Sequence, residues 1–108
     1  EPVATAIGET QQTPVRTTLL GSWPNPFNSR TLISFSLATM TSVSLTIYDI
    51  TGQRIWYRPD GLALGAGVHE IAWDGRDTRG RRVATGVYIY HLKTPTERVG
   101  VGRVLLLR

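Results

Sequence analysis

The stretch Trp73-Asp74-Gly75-Arg76-Asp77-Thr78-Arg79-Gly80-Arg81-Arg82-Val83-Ala84-Thr85-Gly86-Val87-Tyr88-Ile89-Tyr90 decides the fold. An alternating run ends at Trp73. A polar turn follows, in which Gly75, Gly80 and Gly86 give the backbone freedom, and a second alternating run starts at Val87. In that second run Tyr88, Tyr90 and Leu92 fall on one side, and Val87, Ile89 and His91 on the other. The spacing predicts two strands joined across the end of a β-sandwich, with aromatic side chains on both sides of the turn anchoring a small core.

Working outward, the same two-residue period recurs. Leu32 to Leu37 places Ile33, Phe35 and Leu37 on one face; Val43 to Ile50 places Val43, Leu45 and Ile47 inward and Ser44, Thr46 and Tyr48 outward. Ala38 to Ser42 between them is short enough for a hairpin. Arg54 to Tyr57 reads as a short strand, stopped by Pro59-Asp60-Gly61, and His69, Ile71 and Trp73 share a face of Val68 to Trp73. The final run, Val101 to Leu107, ends in Val104-Leu105-Leu106-Leu107, apolar on both faces, which predicts a strand buried inside a sheet. No window has a helical period. About seven short strands, with turn signals every 8–12 residues, is the pattern of an all-β, Ig-like sandwich of antiparallel strands.

The 108 residues suffice for one domain with a core that holds without crosslinks, and there is no cysteine for a disulfide or thiolate metal site. Residues 1–18, rich in Thr, Gln, Pro and small side chains, read as a linker from an upstream domain, with residues 19–108 forming the sandwich. Val15, Leu19 and Leu20 have the apolar character to add an edge strand. The opening lacks a secretory signal pattern and Glu1 is not a natural start, which points to a chain cut from a longer protein. No apolar run approaches the roughly 20 residues of a membrane-spanning helix. The net charge of +4 arises from scattered arginines, except for the group Arg76, Arg79, Arg81 and Arg82 on the long turn: a solvated loop, or a patch for an anionic partner.

Several motifs together resemble a known family. Trp23-Pro24-Asn25-Pro26-Phe27-Asn28 forbids a helix; Tyr48-Asp49-Ile50-Thr51-Gly52 follows a strand; then come Gly67-Val68-His69, Trp73-Asp74-Gly75, Asp77, Gly80, Val83, Gly86-Val87-Tyr88, Leu92, Arg103 before an apolar run, and Arg108. This order over residues 22–108 resembles the C-terminal sorting domains of type IX secretion (the Por secretion system). It is also similar to the Ig-like domain of the flagellar hook-capping protein. Trp23, where the sorting family often has Tyr, and the Arg-rich insert at Arg76 to Arg82 depart from the pattern.

The resemblance implies a non-catalytic module at the end of a larger secreted protein, often a polysaccharide hydrolase or protease, in Bacteroidota-like bacteria. It implies passage through the periplasm to the cell surface. The partners would be the outer-membrane secretion machinery, a sortase-like protease and the cargo domain in the same polypeptide, with cell-surface polysaccharide as a further candidate. Arg103, Val104, Leu105, Leu106, Leu107 and Arg108, with Arg76, Arg79, Arg81 and Arg82, are the candidate recognition residues. Asn25, Pro26, Phe27, Asn28, Asp49, Gly52, Trp73, Asp74, Gly75, Gly86 and Tyr88 carry the structural motif.

No catalytic constellation stands out: His69 and His91 are the only histidines, and no serine, paired carboxylates or other nucleophile lies in a recognisable setting. No nucleic-acid partner, cofactor or metal is expected. Asp74-Gly75-Arg76-Asp77 does not fit an EF-hand, and its acids read as acceptors for turn backbone N–H groups, with calcium as the lesser reading. Asn25 and Asn28 read as Asx-turn residues. Trp73 reads as core, whereas Trp56 and Tyr57, beside a turn, are candidates for a carbohydrate-stacking pair. Three functions therefore compete: a sorting and attachment module, a carbohydrate-binding module of a secreted glycosidase, and a structural assembly domain of hook-capping type.

Overall fold

The computed structural model describes residues 16–108. Residues 1–15, most of the expected linker together with Val15, lie outside the described residues. Seven strands form: β1 (Thr18–Trp23), β2 (Thr31–Leu37), β3 (Ser44–Asp49), β4 (Arg54–Arg58), β5 (Gly67–Trp73), β6 (Gly86–Lys93) and β7 (Arg98–Leu106). They build one sheet in the order β1-β2-β5 and a second in the order β4-β3-β6-β7. Every pairing is antiparallel. The chain is thus an all-β sandwich. Leu19 and Leu20 belong to β1, an edge strand.

The alternating runs fold this way because each has one apolar face to bury. Ile33, Phe35 and Leu37 of β2, with Ile71 and Trp73 of β5, meet Leu45 and Ile47 of β3, Tyr88, Tyr90 and Leu92 of β6, and Val104 and Leu106 of β7. Trp73 is 1% exposed and is the largest fully buried side chain. Its ring lies 5.6 Å from Phe27 and 5.3 Å, edge-on, from Tyr88, so the long turn between β5 and β6 does cross from one sheet to the other over an aromatic cluster.

Two expectations need correction. The run Ala38 to Ser42 is not a hairpin, because β2 and β3 lie in different sheets. Both strands bury a single face, and a short connection between two such strands serves equally to turn within a sheet or to arch over the core. Here Thr41 exchanges both backbone hydrogen bonds with Leu64, at 3.0 and 2.8 Å, which fastens this arch to the connection between β4 and β5.

The second correction concerns Val104 to Leu107. They do not lie in a central strand: β7 is the outer strand of its sheet, Leu105 is half-buried and Leu107 is 46% exposed. The outer edge is blunted instead of paired along its length, a device that limits edge-to-edge association. The strand also starts three residues earlier than the apolar pattern indicates, at Arg98. Gly100 and Gly102 hide its inward period, because they supply no side chain and leave room for two others. A Cβ on Gly100 would stand 2.9 Å from Leu19 Cβ, and one on Gly102 only 2.3 Å from Tyr90 Cζ.

Candidate functional site

The motif residues, far apart in sequence, come together at one end of the sandwich. Asn25 is not an Asx-turn residue. Its side-chain amide nitrogen donates to the Arg103 carbonyl at 3.0 Å, and its Oδ1 accepts from the Leu105 N–H at 2.9 Å. One carboxamide thus imitates the peptide unit of a missing neighbouring strand. Phe27 continues the pairing through its backbone: its N–H donates to Leu105 O at 3.0 Å and its carbonyl accepts from Leu107 N–H at 2.8 Å. The Phe27 side chain, 3% exposed, enters the core beside Trp73. Asn28 is exposed and takes no Asx-turn hydrogen bond among the described residues. Pro24 and Pro26 follow cis peptide bonds in this loop, and the Pro24 carbonyl accepts from the buried Thr31 hydroxyl at 2.8 Å.

Arg108 is tied to the long turn. Arg108 donates from Nη2 to Gly75 O at 2.5 Å and from Nε to Val83 O at 3.0 Å, while its backbone N–H donates to the Thr85 hydroxyl at 2.9 Å. Gly75 is buried with a φ of 73°, which favours glycine, and a Cβ there would stand 3.0 Å from the Arg108 guanidinium, which would have to shift. Two of the three candidate segments, 103–108 and 74–83, are therefore one unit, with Asn25 and Phe27 holding its outer edge. Near the start of β6 the Tyr88 hydroxyl donates back to Ala84 O at 2.6 Å, the arrangement of a tyrosine corner. Burial raises the phenol's pKa above its ordinary value.

A repeat is visible once the loops are compared. Asp49-Ile50-Thr51-Gly52-Gln53-Arg54-Ile55 and Asp77-Thr78-Arg79-Gly80-Arg81-Arg82-Val83 share the pattern Asp-x-x-Gly-x-Arg-aliphatic. Their bonding is the same. Asp49 Oδ1 accepts from the N–H groups of Thr51 and Gln53 at 2.9 and 3.0 Å; Asp77 Oδ1 accepts from those of Arg79 and Arg81, both at 2.9 Å. Gly52 and Gly80 donate to the carbonyls of Asp49 and Asp77 from φ of 90° and 84°. Ile55 and Val83 then pack against the core. Of the two acids expected to accept turn N–H groups, Asp77 does so and, among the described residues, Asp74 does not. Asp74 is exposed and sits 3.6 Å from Arg76, a pairing of little energetic weight.

Both loop carboxyls are held below the ordinary 3.8, that of Asp49 by the Thr51 hydroxyl first, that of Asp77 by the Arg81 backbone N–H first. The unfolded chain therefore binds more protons in the window between each lowered value and 3.8. The stability these two groups add is complete above that window and is lost as pH falls through it. We expect the urea midpoint to drop on acidification below 3.8, and to drop less steeply in the double variant Asp49→Asn/Asp77→Asn. Parallel pH profiles for the two proteins contradict this assignment.

The remaining candidates separate. Arg103, Arg79 and Arg82 are exposed; Arg81 pairs with Asp77 at 3.1 Å; Arg76 donates to Gly80 O at 2.9 Å. Val104 and Leu106 are core residues. Trp56 and Tyr57 do not form a stacking pair: as strand neighbours they face opposite ways, Trp56 onto the core and Tyr57 outward, where the Arg54 guanidinium lies 5.1 Å from its ring centroid. His91 is half-buried, edge-on to Tyr48 at 4.9 Å, and burial first, then the Arg98 and Lys93 charges, lower its pKa. His69 Nε2 contacts Gly65 O at 2.7 Å. Among the described residues no three His, Cys, Asp or Glu side chains gather as a metal site.

Comparison with known structures places the fold. The chain is similar to part of dimeric latent PorU from Porphyromonas gingivalis, with a TM-score of 0.67 and 18% identity over 88% of this chain and 10% of that one. It is similar to PorZ, described as an essential bacterial surface component of the type-IX secretion system of the same organism, with a TM-score of 0.53 and 21% identity over 93% of this chain and 12% of that one. The fold also occurs in the Pseudomonas fluorescens alkylpurine DNA glycosylase AlkC bound to DNA, with a TM-score of 0.58 and 23% identity over 88% of this chain and 31% of that one. The chain thus spans only a small part of each of these proteins, and at such identities the likeness is one of fold. No curated protein matches the chain by sequence. A family model does, over residues 26–97, from the first motif loop through the turn that precedes β7: the chain belongs to the FlgD Ig-like domain family.

Proposed function

We propose that this Ig-like domain is a non-catalytic address, carried on a larger secreted protein and read by type IX secretion machinery in the outer membrane. The observation that carries the reading is the convergence of the motif segments. Asn25 to Asn28, Arg76 to Arg82 and Arg103 to Arg108 gather at one end of a rigid sandwich, and their loop carboxamide, backbone and arginine contacts hold the last strand in place. A receptor that acts after the cargo has folded needs a surface that exists only in the folded state, and a composite of three distant segments is such a surface. The likeness to a type IX surface component supports it. Cleavage and anchoring by a sortase-like protease at the cell surface would follow export.

The reading predicts that the chain, fused behind a folded reporter with a periplasmic export signal, sends the reporter to the surface of a bacterium with type IX machinery. Protease shaving of intact cells measures this; a reporter retained in the periplasm contradicts it. Removing Val104 to Arg108 is expected to abolish export, but by unfolding the domain, since Val104 and Leu106 are 1% and 0% exposed. Arg103→Glu is the informative variant, because that side chain is exposed and makes no bond among the described residues. Family membership favours one alternative, an assembly domain of hook-capping type. That function requires self-association or filament capping, which sedimentation of the purified chain detects.

A further inference from the structure

The two matching loops enclose a cleft of about 450 Å³ between the turn at Asp77–Arg81 and the outer side of β4. We propose that this cleft binds a sugar unit bearing an anionic group, a carboxylate, sulfate or phosphate. The inference goes beyond the sorting role and does not rest on it.

Among the arginines that line the cleft are Arg54 and Arg79. Neither has a carboxylate within ion-pair distance among the described residues, whereas Arg81, also on the wall, is held by Asp77. Arg54 is positioned by the Tyr57 ring beneath it, 5.1 Å from the centroid, whereas at Arg79 the backbone alone is fixed, its N–H donating to Asp77 at 2.9 Å, and the exposed side chain extends from that fixed point. Guanidinium groups are matched to planar or tetrahedral oxyanions, which they bind through paired N–H donors.

The one carboxylate on the wall, Asp77, is taken up by the Arg79 and Arg81 backbone N–H groups and the Arg81 guanidinium, and two other lining side chains suit hydroxyl groups. The Gln53 carboxamide offers donors and an acceptor, and the Thr78 hydroxyl, which donates to Ile55 O at 3.3 Å, keeps its lone pairs as acceptors. A bare inorganic anion would leave most of the volume empty, and a neutral sugar would leave two cations unpaired. An extended acidic peptide is disfavoured by a specific contact. To pair with the outer edge of β4 it would need the Ile55 carbonyl, and that group already accepts from the Thr78 N–H at 3.1 Å.

The test is calorimetric titration of the purified chain with trigalacturonate, with the neutral trigalactose and hexaglutamate as comparisons. Trigalacturonate is expected to bind, more weakly at high salt, and about tenfold more weakly for Arg79→Gln and for Arg54→Gln, the loss that one charge-assisted hydrogen bond entails. Both variants keep the loop bonds to Asp49 and Asp77, and Arg54→Gln gives up only an exposed contact with Tyr57, so their melting temperatures should stay close to the parent's, which separates loss of binding from loss of fold. The proposal is overturned if trigalacturonate gives no heat at millimolar concentration, if trigalactose binds equally well, or if both arginine variants bind like the parent. Equal binding of hexaglutamate also overturns it, and would mark the cleft as a patch for acidic peptides. Because binding is read on purified protein, none of these results depends on whether the domain directs export.

Discussion

Trp73→Ala is expected to cost on the order of 3–5 kcal/mol, the range for removing a large core aromatic. Three features place this residue high in that range. It is 1% exposed, it packs at an angle against Phe27 and edge-on against Tyr88, and its indole N–H donates to Arg76 O at 2.9 Å, which anchors the start of the long turn. Domains of this size have roughly 5–15 kcal/mol in all, so the variant should be close to unfolded at room temperature. Urea denaturation followed by fluorescence of the remaining tryptophans measures it; a midpoint within error of the parent's would remove Trp73 from the centre of the core.

The second large effect is expected at a residue with no side chain. Gly102 pairs with Tyr90 across β6 and β7, and the Tyr90 ring, 2% exposed, lies over it. Gly102→Ala places a methyl 2.3 Å from Tyr90 Cζ and 2.4 Å from its hydroxyl oxygen. A buried ring fixed by its neighbours cannot simply swing away, so the cost should reach or exceed the roughly 1–3 kcal/mol usual for overpacking. Gly61→Ala is the control, because a Cβ there meets nothing within 4 Å. The mechanism makes a further demand: in a Tyr90→Leu background, Gly102→Ala should cost much less, a coupling that a double-mutant cycle reads directly. Equal costs in the two backgrounds would show that the methyl does not act through the ring.

These two residues also show what can be read from the sequence. Trp73 closes an alternating strand before a polar turn, and both its burial and the crossing of the turn between sheets were legible from that pattern. Gly102 was not legible, since its role is to be absent beneath an aromatic residue on another strand. For the same reason β7 read as shorter than it is. Its central or edge position was hidden too: Val104 and Leu106 face the core, while Leu105 and Leu107 on the opposite side are half-buried and exposed, so apolar residues on both sides of this run do not mark a central strand. Ala38 to Ser42 read as a hairpin because periodicity records which side of a strand is buried, not which sheet it joins. At the candidate site, the motif around Asn25 was visible, but its bonding partner lies 78 residues away in Arg103 and nothing local announces it. The matching Asp-x-x-Gly-x-Arg loops carried a signal in the sequence itself. Aligning Asp49 to Ile55 with Asp77 to Val83 would have shown that Asp74 stands outside the repeat and left the acceptor role to Asp77 alone.

The measurement that tests the proposed role most directly is surface exposure of the reporter fusion in two otherwise identical hosts, one with the type IX outer-membrane translocon and one with it deleted. The account predicts protease-accessible reporter at the surface of the first host and folded reporter held in the periplasm of the second, with Trp73→Ala abolishing surface display in the first. Reporter in the same compartment of both hosts would contradict it.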